Sequence, residues 1–251
     1  MTKKKIQKRI KAMKRLLQVL GLDYFPEFEP VLTEAFTHRS SVNEKIGNQC
    51  HNERLEFLGD AVLELVSTEF LFNRFPDKQE GELTNIRSAL VCGQHLAQVA
   101  RKLQLGKYLI LSAGEARSGG ADKDYLLANV VESFIGAIYK TQGMEAVQKF
   151  ISEWVLDDVE EIIRTGAHRD AKSEFQEITQ GKLGFTPHYE VLSEEGKDHE
   201  KKFEIGAYIE EHLIEKGIGG SKKEAQTAAA VNALKKKSEW LKLIKPSENF
   251  E

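Results

Sequence analysis

The sequence predicts two domains, an all-α domain followed by a smaller α+β domain with the element order αβββα. The first is predicted because apolar residues recur at helical spacing between residues 6 and 163, and no convincing alternating strand interrupts them. The second is predicted because the apolar residues alternate after residue 180, as they do in strands. With 251 residues, 41% of them hydrophobic, the chain is long enough to bury one or two cores.

Breaks in the first domain are expected where proline or glycine falls between apolar segments. These positions are Pro26, Pro30, Pro76 and Gly106.

The N-terminal segment is basic but no continuous apolar stretch follows it, so neither a secretory signal nor a membrane span is predicted. Cys50 and Cys92 have no metal or redox spacing, which is typical of reduced thiols, and we expect a cytoplasmic protein with no membrane partner.

Four carboxylates share one face of the helix predicted around residues 53–66. They lie three or four residues apart, at Glu53, Glu56, Asp60 and Glu64. A second stripe with the same spacing is predicted to face the core, and it consists of Leu55, Leu58, Val62 and Leu65. Like charges at this spacing repel, and a bound cation is the simplest compensation for a partly buried cluster.

Glu132 is the only charged residue in the apolar segment 125–139. A buried carboxylate is costly unless it is paired. Asn129 lies three residues earlier on the same helical face, so its amide oxygen and the carboxylate would point together. For one isolated acid, pairing with a core arginine or a helix-capping role is the alternative. The acid cluster elsewhere in the chain favours instead a site for Mg²⁺ or Mn²⁺, which prefer oxygen ligands.

The second domain is predicted to follow a short break at residues 166–170. A helix at 172–180 precedes two strands that contain the alternating apolar residues, with a turn at 196–199 between them. A third strand is predicted at 211–215. The glycine-rich segment that follows is expected to open a helix at 222–236. The expected boundaries are 1–165 for the first domain, 166–170 for the linker, 171–240 for the second domain and 241–251 for a tail.

Basic residues are unevenly distributed, although the formal net charge of −3 does not by itself indicate a nucleic-acid-binding protein. They are concentrated in the N-terminal segment and in several short runs after residue 196. A single lysine run is most often a solvated helix face. Several runs within one short domain favour a surface that binds a polyanion.

The segment from Glu53 to Ala61, Glu-Arg-Leu-Glu-Phe-Leu-Gly-Asp-Ala, together with the later Glu132, resembles the signature of bacterial ribonuclease III. The resemblance includes Thr37-His38-Arg39-Ser40 and Glu80-Gly81-Glu82-Leu83, and it extends over nearly the whole chain. It implies an endoribonuclease that hydrolyses double-stranded RNA as a homodimer, in processing of rRNA and other structured transcripts. The implied products carry 5′ phosphates, 3′ hydroxyls and short 3′ overhangs.

The same resemblance assigns residues to the reaction. Metal ligands are implied at Glu56, Asp60, Asn129 and Glu132, with Asp60 and Glu132 as the catalytic pair. Glu53 and Glu80 are implied to support the site or a second metal. Mg²⁺ is the expected metal, with Mn²⁺ as a possible substitute.

The sequence Ser221-Lys222-Lys223-Glu224 after the glycine-rich segment is not a P-loop, because Gly-Lys-Ser/Thr is absent. Together with the αβββα order, it resembles a double-stranded RNA-binding domain. The resemblance implies that Lys222 and Lys223 contact phosphates across the major groove. Gln176 and His199 are implied to contact the flanking minor grooves.

Asn129 departs from the family pattern, which usually has aspartate at this position. An amide oxygen can coordinate a metal but removes one negative charge from the site. The alternative function is therefore a catalytically impaired protein that binds double-stranded RNA. Retention of five acids favours the nuclease, because each costs stability when no metal is bound.

Overall fold

The computed structural model describes residues 3–43, 50–166, 171–196 and 201–246. The chain divides into two compact units, Met1–His168 and Arg169–Glu251, and each has its own hydrophobic core. In the described part of the chain, no helix is both long enough and apolar enough to span a membrane.

The first unit is helical in its described residues, apart from an isolated bridge between Thr37 and Ile110. Its α-helices are α1 Lys3–Val19, α2 Phe28–Ala35, α3 Arg39–Asn43, α4 Glu53–Arg74, α5 Glu80–Val91, α6 Gly93–Lys102, α7 Ala113–Arg117, α8 Asp124–Trp154 and α9 Val159–Thr165. Gly143 has a left-handed backbone (φ 82°) and interrupts α8. The all-α prediction is confirmed.

Pro30 does not break a helix as predicted. It lies in the first turn of α2, where a proline costs little because the first backbone N–H groups of a helix have no intrahelical acceptor. Pro26 and Pro76 lie outside helices, and Gly106 lies in a short 3₁₀ turn, Leu105–Tyr108.

The core of the first unit is built around α4 and α8. On α4 the buried apolar residues are Leu55, Val62, Leu63, Val66 and Leu71. The predicted core stripe is therefore partly wrong, because Leu65 is 57% exposed and Leu58 is only partly buried. On α8 the buried face is nearly continuous, and Ser133 anchors it by donating its hydroxyl to the carbonyl of Ala35 at 2.8 Å.

The second unit has the predicted αβββα order followed by one more helix. Its elements are α10 Ala171–Leu183, β1 His188–Glu195, β2 Lys202–Ile209, β3 His212–Gly219, α11 Lys222–Lys235 and α12 Lys237–Leu243. The three strands form an antiparallel sheet in the order β1-β2-β3. Trp240 of α12 is buried, packs edge-on against Phe175 and donates its indole N–H to the Ala233 carbonyl at 2.8 Å.

The third strand is longer than predicted and includes Gly217 and Gly219, which were expected to open the following helix. A Cβ on Gly217 would lie 2.1 Å from the Ala229 nitrogen, and one on Gly219 would lie 2.5 Å from the Ala225 nitrogen. The glycines therefore allow β3 to approach the α11 backbone closely. The helix itself begins at Lys222, as predicted.

Candidate acidic site and RNA-binding surface

Helices α4 and α8 approach each other at two glycines, and this approach places the predicted acids together. A Cβ on Gly59 would lie only 1.7 Å from the carbonyl oxygen of Glu132, and one on Gly136 would lie 2.2 Å from that of Leu55. No side chain larger than hydrogen fits at either position unless the helices move apart. Glu56 and Asp60 on α4 consequently lie in the same neighbourhood as Glu132 on α8, as their mutual electrostatic effects show.

Glu132 is the acid most strongly affected by this neighbourhood. Burial raises its pKa first, and the negative charges of Glu56 and Asp60 raise it further, to about 7. The pKa of Glu56 is also raised, chiefly by burial and by the charge of Glu53, with a smaller contribution from Asp60. The protein therefore holds these carboxylates where their ionised forms are unfavourable, which is typical of functional sites.

Asn129 acts on the Glu56 carboxylate as a hydrogen-bond donor, and this contact opposes the increase in the pKa of Glu56. The Oε2 atom of Glu56 is buried without a hydrogen-bond partner in the described structure. A buried oxygen of this kind costs free energy unless something binds it. The amide nitrogen of Asn129 can therefore serve Glu56 while its oxygen stays available to another group.

The oxygen atoms of this cluster are of the kind that binds a divalent cation. They are carboxylate and amide oxygens in a partly buried place, one buried oxygen lacks a partner, and the ionised acids lack compensation. Among the described residues, no three Asp, Glu, His or Cys side chains already converge as a finished ligand group. Carboxylates repel one another, and this repulsion is sufficient to keep them from converging when no cation lies between them.

The remaining predicted acids have other partners. Glu53 is 3.3 Å from Arg39 Nη1 and 3.7 Å from His51 Nδ1. Glu64 pairs with the Arg87 Nε atom at 2.9 Å, which links α4 to α5. Glu80 accepts a hydrogen bond from Thr84 Oγ1 at 3.0 Å and lines a crevice between α4 and α5. Glu80 therefore has a hydrogen-bond partner on its own helix.

Among the described residues, the predicted RNA-binding side chains of the second unit are exposed at the start of α11 and on α10. Ser221 caps α11 by accepting a hydrogen bond from the Glu224 N–H at 3.2 Å, and Glu224 Oε2 accepts one from the Gly220 N–H at 2.9 Å. This cap fixes the backbone that carries Lys222 and Lys223, both of which are exposed.

Gln176 is exposed on α10. His199 lies outside the described residues, so its predicted contact with RNA stays a prediction.

An apolar stripe on α4 was missed by sequence reasoning. Phe57, Leu65 and Phe72 are 80%, 57% and 70% exposed, and their spacing places them on one helical face. Exposed Ala61 lies on the same face. The sequence signal was present, because α4 carries two apolar stripes, but periodicity alone does not show which stripe faces the core.

Paired acids on two closely crossing helices, followed by a separate αβββα unit with lysines at a helix start, define the class of a nuclease with its own duplex-RNA-binding domain. Comparison with protein families agrees. Residues 29–159 match the ribonuclease-III-like family, and residues 171–237 match the double-stranded RNA binding motif. The chain belongs to the ribonuclease III family and is an endoribonuclease that acts on double-stranded RNA.

Individual relatives support the same assignment over most of the chain. The chain is 44% identical over 204 residues to Ribonuclease 3 of Desulforamulus reducens, covering 81% of this chain and 83% of the relative. It is 41% identical over 230 residues to Ribonuclease 3 of Streptococcus uberis, covering 90% and 100%. The solved nuclease domain of ribonuclease III from Campylobacter jejuni is 35% identical, with a TM-score of 0.53, and covers 58% of this chain and 96% of that domain.

Proposed function

We propose that the chain cleaves double-stranded RNA by divalent-metal-dependent hydrolysis of phosphodiester bonds. We further propose that it leaves 5′-phosphate and 3′-hydroxyl ends with short 3′ overhangs, as a cytoplasmic enzyme that processes rRNA and other structured transcripts. The observation that carries the proposal is the cluster of Glu56, Asp60 and Glu132, whose burial and mutual repulsion raise the pKa of Glu132 to about 7.

Glu56, Asp60 and Glu132 would hold the cation, Mg²⁺ by preference and Mn²⁺ as a substitute, with the Asn129 oxygen as a further ligand. Bound there, the cation supplies positive charge opposite the scissile phosphate and increases the acidity of the attacking water. The chain itself orients these oxygens through the glycine crossing of α4 and α8. Asn129 holds Glu56 in place by donating a hydrogen bond. We propose Asp60 and Glu132 as the catalytic pair, and Glu53 and Glu80 as supporting residues.

The exposed stripe of α4 supports a homodimer. Phe57, Leu65 and Phe72 are too apolar to be left in water without cost, and covering them by the same face of a second copy is the simplest arrangement. Phe57 also lies beside a crevice of about 650 Å³, lined in part by Leu58 and Lys140. The related Campylobacter jejuni domain has a region involved in dimer formation. Two sites in a dimer would cut opposite strands and produce the short overhangs.

The test is incubation of the full chain with a long RNA duplex, with Mg²⁺ or with EDTA, and analysis of the product ends. Glu132→Gln should slow cleavage by about 10² to 10⁴, because several kcal/mol of metal stabilisation are lost. It should leave duplex affinity almost unchanged. Near-normal single-turnover cleavage by this variant at moderate Mg²⁺ would contradict the assignment.

A catalytically impaired RNA-binding protein is the second candidate, and Asn129 is the observation that favours it. The amide removes one negative charge where the family usually has aspartate. If Mg²⁺ and Mn²⁺ both fail to support cleavage while the duplex still binds, this candidate replaces the first.

A further inference from the structure

Helix α1 is a basic element that lies outside the residues matched to either family. The ribonuclease-III-like match begins at residue 29, whereas α1 spans Lys3–Val19. The first 22 residues contain eight basic side chains and no acid. The basic residues are Lys3, Lys4, Lys5, Lys8, Arg9, Lys11, Lys14 and Arg15.

The C-terminal half of α1 is fixed to the first unit. Met13, Leu16, Leu17 and Leu20 are at most 8% exposed and belong to the core of that unit. The Tyr108 hydroxyl donates a hydrogen bond to the Ala12 carbonyl at 3.4 Å. The basic residues of this half are therefore carried on a docked helix, which holds them in a fixed arrangement.

The opposite face of α1 presents cations with few partners. Lys11, Lys14 and Arg15 are exposed. Lys14 lies 3.9 Å from the centroid of the Tyr24 ring, but Lys11 and Arg15 have no ion pair within the described part of the chain. Other basic residues of the same unit do have such pairs, for example Arg74 with Glu160 and Lys102 with Asp157.

This charge pattern works against the helix that carries it. Like charges three or four residues apart repel along a helix, and basic residues near a helix N-terminus oppose its dipole. The first turn of α1 contains no acidic residue to offset either effect. A bound polyanion would offset both.

Duplex RNA fits this surface better than an anionic membrane does. A helix that lies on a membrane inserts its apolar face, but Met13, Leu16 and Leu17 of α1 are already buried in the protein core. The remaining interaction is electrostatic, which is how proteins bind a nucleic-acid backbone without reading its sequence. A helix of 17 residues is about 25 Å long and can meet several phosphates.

We propose that α1 is a second duplex-RNA contact, separate from the αβββα unit, which binds the phosphate backbone through Lys11, Lys14 and Arg15. This inference rests on double-stranded RNA as the ligand of the chain. It adds affinity that depends on salt and does not depend on sequence.

The experiment compares full-length wild type with Lys11→Gln/Arg15→Gln, using a duplex longer than the roughly 16 base pairs that one RNA-binding domain covers. Affinity is measured across a salt series with Ca²⁺ in place of Mg²⁺. We expect the variant to bind about threefold to tenfold more weakly at physiological salt, with the slope of log affinity against log salt smaller by about 1 to 2.

Two matched variants show whether the effect on binding requires positive charge on α1 in particular. Arg74→Gln/Lys102→Gln removes the same formal charge from ion-paired residues of the same unit and should bind as the wild type does. Lys11→Arg/Arg15→Lys keeps the charge on α1 and should also bind normally. Circular dichroism of all forms checks that the fold is kept. If the double neutral variant unfolds, Lys11→Gln alone replaces it, and it should reduce the salt slope by about 1; an unchanged slope for this folded single variant would overturn the proposal.

An unchanged affinity and salt slope for Lys11→Gln/Arg15→Gln would overturn the inference while leaving the proposed function intact. Failure of the wild type itself to bind the duplex would instead remove the proposed function. Binding of the same variants to vesicles of anionic lipid is measured as well. Binding to them that requires Lys11 and Arg15, with RNA binding unaffected, would assign α1 to a membrane and overturn the RNA proposal.

Discussion

The two units handle charge in opposite ways. In the first unit, Glu132 is partly buried in an apolar segment and lies near two other acids, so its ionised form is costly and its pKa rises to about 7. In the second unit, Lys222 and Lys223 lie exposed at the start of a capped helix, where water already solvates them. Ionising a buried group costs free energy, and a single bound ligand can offset that cost. Exposed charges attract a polyanion in proportion to their number, and salt weakens this attraction.

The largest expected effect tests how the first unit keeps its acids together. Gly59→Ala should destabilise the protein by about 3 kcal/mol, because the added Cβ would collide with the backbone of α8 and overpack the crossing. Denaturant unfolding measures this loss. Gly81→Ala is the matched control, since nothing lies within 4 Å of a Cβ there, and it should be neutral or slightly stabilising. Equal stability of the two variants would rule out a close crossing.

The second expected effect concerns the exposed cations. The joint change of Lys222 and Lys223 to alanine should weaken duplex binding by a similar factor for all sequences and reduce the salt slope by about 1 to 2. The choice of cleavage site should change little, because phosphate contacts carry no sequence information. An unchanged salt slope would mean that these lysines do not contact phosphates.

The smallest expected effect concerns Asn129. Asn129→Asp replaces a donor to Glu56 by a second negative charge, so a cation should relieve more repulsion than in the wild type. We expect the Mg²⁺ concentration for half-maximal cleavage to fall by a few-fold, with duplex binding in Ca²⁺ unchanged. Asn129→Ala, which removes the donor without adding charge, should raise it. An unchanged or higher midpoint for a folded Asp variant would show that this position does not limit metal binding.

The sequence predicted the fold class and the acids that meet across α4 and α8, because periodicity and the signature spacing are local features. It did not predict which apolar stripe of α4 is buried, since Leu65 and Leu55 belong to equally regular patterns. It also assigned Gly217 and Gly219 to the opening of α11 and not to β3, because their role depends on the distant α11 backbone. Contacts of this kind arise only from tertiary packing.

The central claim is that the Glu132 cluster is costly by itself and is stabilised by a divalent cation. The raised pKa fixes the sign: the folded state binds more protons than the unfolded state between the ordinary glutamate value of 4.5 and about 7, so stability falls as the pH rises through this range. Glu132→Gln lacks the contribution of Glu132 to this dependence.

The most direct measurement is therefore the thermal midpoint of both forms, in EDTA and in Mg²⁺, from pH 5 to pH 8. In EDTA at pH 8 the Gln variant should melt about 2 °C or more above the wild type, and the gap should shrink towards pH 5. Mg²⁺ at pH 8 should raise the wild-type midpoint and leave the variant nearly unchanged. A Gln variant less stable than the wild type in EDTA at pH 8, or an equal response of both forms to Mg²⁺, would contradict the claim.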